Sequence, residues 1–152
     1  MTIAITVSKR STCSRRNNGA VIANARGVVL STGYNGSLSG MSHCDHECDC
    51  LAQLGSGNIH ESECPAHPSN GCATAVHAEA NAIYFAARNG VSTAGSIIYC
   101  TTEPCIKCAE AIVQSGIVEC IYELEYRSHA GIELLVDAGV IVQRKKVAIE
   151  DL

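Results

Sequence analysis

Short β-branched and aliphatic runs alternate along this chain with alanine-rich stretches that close on glycine. Ala20-Val21-Ile22-Ala23 and Val28-Val29-Leu30-Ser31-Thr32 flank Asn24-Ala25-Arg26-Gly27, a pattern that predicts two antiparallel strands joined by a polar turn. Residues 33–40 are too glycine-rich for regular structure and lead into a Cys/His-rich segment at about 43–72, expected as a loop or insertion. A connection of that length is functional or tied down, and its cysteines suggest a tie. Residues 77–88 are rich in alanine and apolar nearly all round, then stop at Asn89-Gly90, which predicts a buried helix with a C-terminal cap. A strand follows at 96–101, then a helix at 105–115 introduced by Pro104 and ended by Gly116, then a strand at 118–123. A helix at 131–138 closes on Gly139, before a last strand at 140–142. After the hairpin, helix and strand alternate, which predicts an α/β domain whose sheet is largely parallel and covered by helices.

Composition narrows the class. The chain has 152 residues, 47% of them hydrophobic, enough for one domain with its own core; residues 1–152 are expected to form a single domain. No apolar run approaches the ~18 residues of a membrane span. The first nine residues mix threonine into their apolar positions without a basic lead or small-residue cleavage site, so they do not resemble a signal peptide, and a cytoplasmic location is expected. Net charge is -4, with 11 basic against 15 acidic residues and no dense basic run. That argues against a long nucleic acid as partner, since such binding needs a basic face. Ten cysteines in a chain without an export signal point to thiolates and metal rather than to a disulfide scaffold.

The chemistry concentrates in two short motifs, His77-Ala78-Glu79 and Pro104-Cys105-Ile106-Lys107-Cys108. His77, Cys105 and Cys108 supply the three protein ligands of a catalytic zinc site, which leaves a fourth position for water. Cys105 and Cys108 are three apart at a helix start, so their sulfurs share a face, and the partial positive charge there favours thiolate. Glu79 lies two residues from the histidine, placed to exchange protons as a general acid and base. Alone, a C-x-x-C is as often a structural half-site or redox pair, and an H-x-E is ordinary helix packing. Together they resemble the H-x-E and P-C-x-x-C signature of zinc-dependent nucleobase deaminases.

The wider sequence resembles the deoxycytidylate (dCMP) deaminases of the cytidine deaminase superfamily. Besides the zinc motif, the resemblance is carried by Arg10-Ser11-Thr12-Cys13, Gly19-Ala20-Val21-Ile22, Gly33-Tyr34-Asn35-Gly36, His43-Cys44, Ala80-Asn81-Ala82-Ile83, Glu103 before Pro104, Tyr126-Arg127 and the segment 131–139, covering about 9–142. It implies a three-layer α/β/α sandwich with a five-stranded mixed sheet. It also implies hydrolysis of dCMP to dUMP and ammonia, supplying dUMP for thymidylate synthesis. Under it Asn35 contacts the sugar, the backbone of Ala78 reaches the pyrimidine carbonyl, and Tyr126 lines the base pocket. Asn35 also fits a plain Asn-Gly turn, and Tyr126 a plain core tyrosine. Arg15, Arg16, Arg26 and Arg127 are the cations expected near the mouth, where arginine's fork suits a phosphate.

The resemblance further implies a homo-oligomer, commonly a hexamer, with Arg88 at a position tied to subunit contacts; a helix C-terminal cation serves equally. Activation by dCTP with Mg2+ and inhibition by dTTP belong to regulated members, many with proline in the loop where this chain has Leu38. Some relatives hold a second, structural zinc. Cys13 and Cys44 match positions used there, and Cys64 and Cys72 are the candidates for the other two ligands, against a reading of these cysteines as small buried hydrophobes. Two alternatives remain open: a deaminase of free cytidine, deoxycytidine or tRNA adenosine, and a non-catalytic zinc-stabilised binding module. Glu79 discriminates the second, because only catalysis needs it.

Overall fold

A computed structural model describes residues 1–13, 16–41 and 75–147. The expected insertion at 43–72 lies outside these residues. The elements are α1 (Thr2–Ser8), β1 (Gly19–Ala23), β2 (Val29–Tyr34), β3 (Gly36–Ser37), β4 (Ala75–Val76), α2 (Ala78–Arg88), β5 (Ile97–Thr102), α3 (Ile106–Gln114), β6 (Glu119–Leu124), α4 (Ala130–Asp137) and β7 (Ile141–Arg144). Five strands form one sheet in the order β2-β1-β5-β6-β7. β1 runs antiparallel to both β2 and β5, whereas β5, β6 and β7 are parallel. The sheet is therefore mixed, and less parallel than the alternation of helix and strand suggests, because β1 joins the central strand β5 in the opposite direction. β3 and β4 form a separate antiparallel pair.

The helices take two sides. Ala20 and Ile22 of β1 join Ala78 and Ala82 of α2, Ala109 and Ile112 of α3, and Leu135 of α4 in one buried cluster with Ile98, Cys100 and Cys120 of the sheet. Side chains alternate across a strand, so Gly19 faces the other side, where a Cβ would run into the backbone of Ala4 and Ser8 in α1. The result is the three-layer α/β/α arrangement. α1 has no counterpart in the sequence reading: it is seven residues long and rich in β-branched side chains, and it is held by burial of Ala4 and Ser8 on the sheet rather than by propensity.

Three helices end as their glycines suggest. After α2, Gly90 at φ 66° lets its N–H reach Ala87 O while Val91 N–H reaches Ala86 O. Gly116 with Ile117, and Gly139 with Val140, repeat the arrangement after α3 and α4. This double bond pattern satisfies carbonyls that a helix end otherwise leaves open. α2 departs from the expected buried helix on one side. Ala78, Glu79, Ala82 and Ala86 are buried, but Tyr84 and Phe85 are 59% and 55% exposed.

Candidate active site

Antiparallel pairing brings the start of β1 and the ends of β2, β5 and β6 to one end of the sheet. The site is built there, beyond the carboxyl end of the central strand and at the point where pairing changes from antiparallel to parallel. His77 is the N-cap of α2 and Cys105 the N-cap of α3, each with extended backbone and a carbonyl that accepts the first helical bond, from Asn81 and Ala109. Neither side chain caps its own helix. They turn to each other instead, forgoing about 1 kcal/mol of capping at each terminus.

His77 Nδ1 lies 3.4 Å from Cys105 Sγ and 3.4 Å from Cys108 Sγ, and the three donor atoms all fall within 4.8 Å of one another. Zinc bonds to sulfur and nitrogen at tetrahedral angles would set the N···S separation at ~3.6 Å. Donor type and spacing therefore fit a zinc ion. Cys108 occupies the third helical position after Cys105, so both sulfurs sit over the first turn of α3, with its unpaired N–H groups beneath them.

Without an ion the three groups titrate against one another, so a metal would have to displace the protons that Cys108 and His77 retain. The Cys105 thiol is lowered to about 3, chiefly because Cys108 donates a hydrogen bond to it, with the bond from His77 adding to this. The same bond and burial raise the Cys108 thiol. His77 is raised, first by its hydrogen bond to Cys105. Glu79, in the first turn of α2, is 7% exposed. Burial lifts its carboxyl above the usual range, opposed by its own backbone N–H and by the charge of His77. A carboxyl raised in this way is better matched to taking up and returning protons near neutral pH.

Beside the ligands lies a cavity of about 210 Å³, into which His77, Glu79 and Cys105 all open. Asn35, Tyr126, Arg16 and Arg127 also line it. Asn35 is buried and already engaged: its Oδ1 accepts the Asn18 N–H at 2.8 Å and its Nδ2 donates to Arg16 O at 2.8 Å. Its amide thus orders the segment that carries Arg16. Ala78 is the first helical residue of α2, where the N–H has no acceptor within the helix. The Arg127 guanidinium stands over the Tyr126 ring, 5.3 Å from its centre.

Arg26 is not at the mouth. It sits in the β1–β2 turn, and the five residues of β1 at ~3.4 Å each place that turn about 17 Å from the cavity end of the hairpin. Arg15, Cys44, Cys64 and Cys72 lie outside the described residues; Cys13 is buried and lines the cavity. Glu103, Asn18 and Thr102 are cavity residues to which the sequence reading gave no role. For Glu103 a signal existed: an acid directly follows a strand that is otherwise apolar or hydroxylated, and directly precedes the Pro-Cys turn.

The family model for the cytidine and deoxycytidylate deaminase zinc-binding region matches residues 1–124. The chain belongs to this family. Among curated relatives, the deoxycytidylate deaminase of Enterobacteria phage T4 is 39% identical over 147 residues, covering 79% of this chain and 73% of the relative. The ComE operon protein 2 of Bacillus subtilis is 38% identical over 136 residues, covering 89% of this chain and 63% of that protein. Among solved structures, the dCMP deaminase of cyanophage S-TIM5, crystallised with dCMP and dUMP, superposes with a TM-score of 0.74 at 30% identity, covering 95% of this chain and 92% of the other. Among the described residues, no helix of the chain is long and apolar enough to cross a membrane.

Proposed function

We propose that this protein hydrolyses dCMP to dUMP and ammonia. The observation that carries the reading is the meeting of His77, Cys105 and Cys108 beside buried Glu79, at the wall of a cavity that also holds Arg16 and Arg127. Relatives acting on dCMP, at 39% and 30% identity, support the same substrate. His77, Cys105 and Cys108 would hold the zinc ion. When bound, it supplies the Lewis acidity that brings water toward hydroxide at neutral pH.

Glu79 does the proton work. One carboxylate oxygen takes a proton from the attacking water and delivers it to N3 of the ring as the new C4–O bond forms. The carboxylate then takes the remaining proton of that oxygen to the amino group, so that C4–N breaks and neutral ammonia departs. Water and dCMP are consumed, dUMP and ammonia form, and Glu79 ends as it began. Its burial excludes bulk water that would compete for those protons. On the family resemblance the N–H of Ala78 binds the pyrimidine carbonyl, Tyr126 covers the base, and Asn35 reaches the sugar through the capacity that its two backbone bonds leave over. Arg16 and Arg127 supply the positive charge that the nucleotide phosphate requires.

Several finer expectations join this proposal on family resemblance. They are a single domain with the insertion at 43–72, and a second, structural zinc on Cys13, Cys44, Cys64 and Cys72. Control by dCTP with Mg2+ and by dTTP, a hexameric homo-oligomer, a cytoplasmic location and supply of dUMP for thymidylate synthesis complete them. The substrate assignment is tested by turnover of dCMP, CMP, deoxycytidine and a tRNA anticodon stem by zinc-loaded protein. dCMP is expected to be strongly preferred. Preference for an unphosphorylated nucleoside or for tRNA would replace the substrate, and absence of ammonia from all four would favour a binding module.

A further inference from the structure

Glu103 is a buried acid with no catalytic duty in the account above. Its side chain is wholly enclosed, at the end of β5 and two residues before Cys105. Burying a carboxylate is costly unless its oxygens are hydrogen-bonded, and both of these are. Oε2 accepts the Tyr126 N–H at 3.1 Å, and Oε1 accepts from His129 Nδ1 at 2.8 Å. The Glu103 N–H donates to Leu124 O at 2.8 Å. A little further along, Gly131 lies so close to Pro104 O and the Cys105 carbonyl that a Cβ could not be accommodated. The connection from β6 to α4 is thus fastened to Glu103 at Tyr126 and His129, between the last residue of β6, bonded to the Glu103 N–H, and Gly131 of α4, packed on residues 104 and 105. That connection carries Tyr126 and Arg127, which line the cavity.

We propose that Glu103 is a positioning residue, fixing the Tyr126–Arg127 wall against the Cys105 turn and so setting how tightly the nucleotide is held rather than how fast the held ring reacts. The inference rests on the reading of this cavity as the dCMP site. Two donors converge on the carboxylate from different residues, so both of its ends must accept. Glutamine has the same shape but no charge: its oxygen can keep the Tyr126 N–H, while its NH2 group can face His129 only if that imidazole changes tautomer, so the charge-assisted bonds become weaker neutral ones. His129 is 63% exposed, so its arm can be removed without opening the core.

The test compares wild-type, Glu103→Gln and His129→Gln proteins, zinc-loaded, by zinc content, by kcat and KM for dCMP, and by hydrogen exchange at the Tyr126 amide. In Glu103→Gln we expect KM to rise about 10-fold or more, the effect of exchanging hydrogen bonds to a charged group for neutral ones. We expect kcat to stay within about threefold, zinc to be retained, and the Tyr126 amide to exchange faster. His129→Gln should move KM and exchange the same way by less, and it decides the matter alone if Glu103→Gln does not fold. A fall in kcat at constant KM, loss of zinc, or unchanged KM and exchange would overturn the proposal. If wild-type protein does not turn over dCMP, the substrate reading fails, while the Tyr126 exchange still reports on the tie.

Discussion

Gly33 is where a single added carbon should be felt furthest from where it is placed. It lies on β2 beneath the first turns of α2, and a Cβ there would overlap Ala78 O, Ala82 N and Ala82 Cα. All three are backbone atoms, so no rotamer change relieves the clash and the helix must lift from the sheet. Ser31, two residues earlier on the same strand, donates a 2.6 Å hydrogen bond to Ala82 O, and that bond resists the lift. Overpacking of this kind costs about 1–3 kcal/mol, or about 2–12 °C in Tm at 2–4 °C per kcal/mol for a chain of this size. The activity cost is larger than the stability cost suggests, because Ala78 is flanked by His77 and Glu79. A displacement of about 1 Å at the reacting groups costs on the order of 100-fold. Gly33→Ala is therefore expected to fold, with a lowered Tm by scanning calorimetry and kcat/KM for dCMP down about 100-fold at a temperature where it is fully folded. A variant with wild-type Tm and wild-type kcat/KM would refute the close packing of α2 on β2.

Three further outcomes follow from the same structure. Cys105→Ser replaces the sulfur whose thiol is lowered to about 3 with a poorer zinc donor; zinc analysis after dialysis should show loss of the ion bound there, together with loss of ammonia release. Ile22→Ala removes a fully buried side chain from the cluster shared by β1 and three helices and should cost about 2–5 kcal/mol in denaturant unfolding, with kcat of the folded fraction near wild type. His129 is raised above 6.5, first by its hydrogen bond to Glu103. Its contribution to stability is full below pH about 6.5 and is lost as pH rises through the raised folded value, so the Tm advantage of wild type over His129→Gln should be largest at acid pH and shrink as pH is raised above about 6.5.

The meeting of His77, Cys105 and Cys108 beside Glu79 was legible because soft ligands at fixed spacing are rare combinations, and because each motif opens a helix whose far end is marked by Gly90 or Gly116. Helix ends depend on local backbone conformation, which glycine discloses. What depends on distant contacts was hidden. α1 stands on the burial of Ala4 and Ser8 against residues of β1, which no local propensity reveals. β3 and β4 are two-residue strands far apart in the sequence, at 36–37 and 75–76, so neither has a readable period. The antiparallel placement of β1 beside β5 also decides which arginines face the cavity: Arg16 does, and Arg26 is carried to the far end. The exposure of Tyr84 and Phe85 was missed because an apolar sequence does not say how many sides of a helix the chain itself covers. Glu103 was visible as a letter, but its two partners come from 23 and 26 residues away.

The central claim is that one buried carboxylate carries the protons for a zinc held by His77, Cys105 and Cys108. Glu79→Gln keeps the size of the side chain and leaves all three ligands in place, so the decisive measurement is dCMP turnover by this variant after zinc loading, with zinc content determined on the same sample. The account predicts that the triad keeps its zinc and that kcat falls about 10³-fold, within the range expected for losing a general acid and base. Zinc retained with kcat within tenfold of wild type, on the order of what altered packing alone could cause, would contradict it.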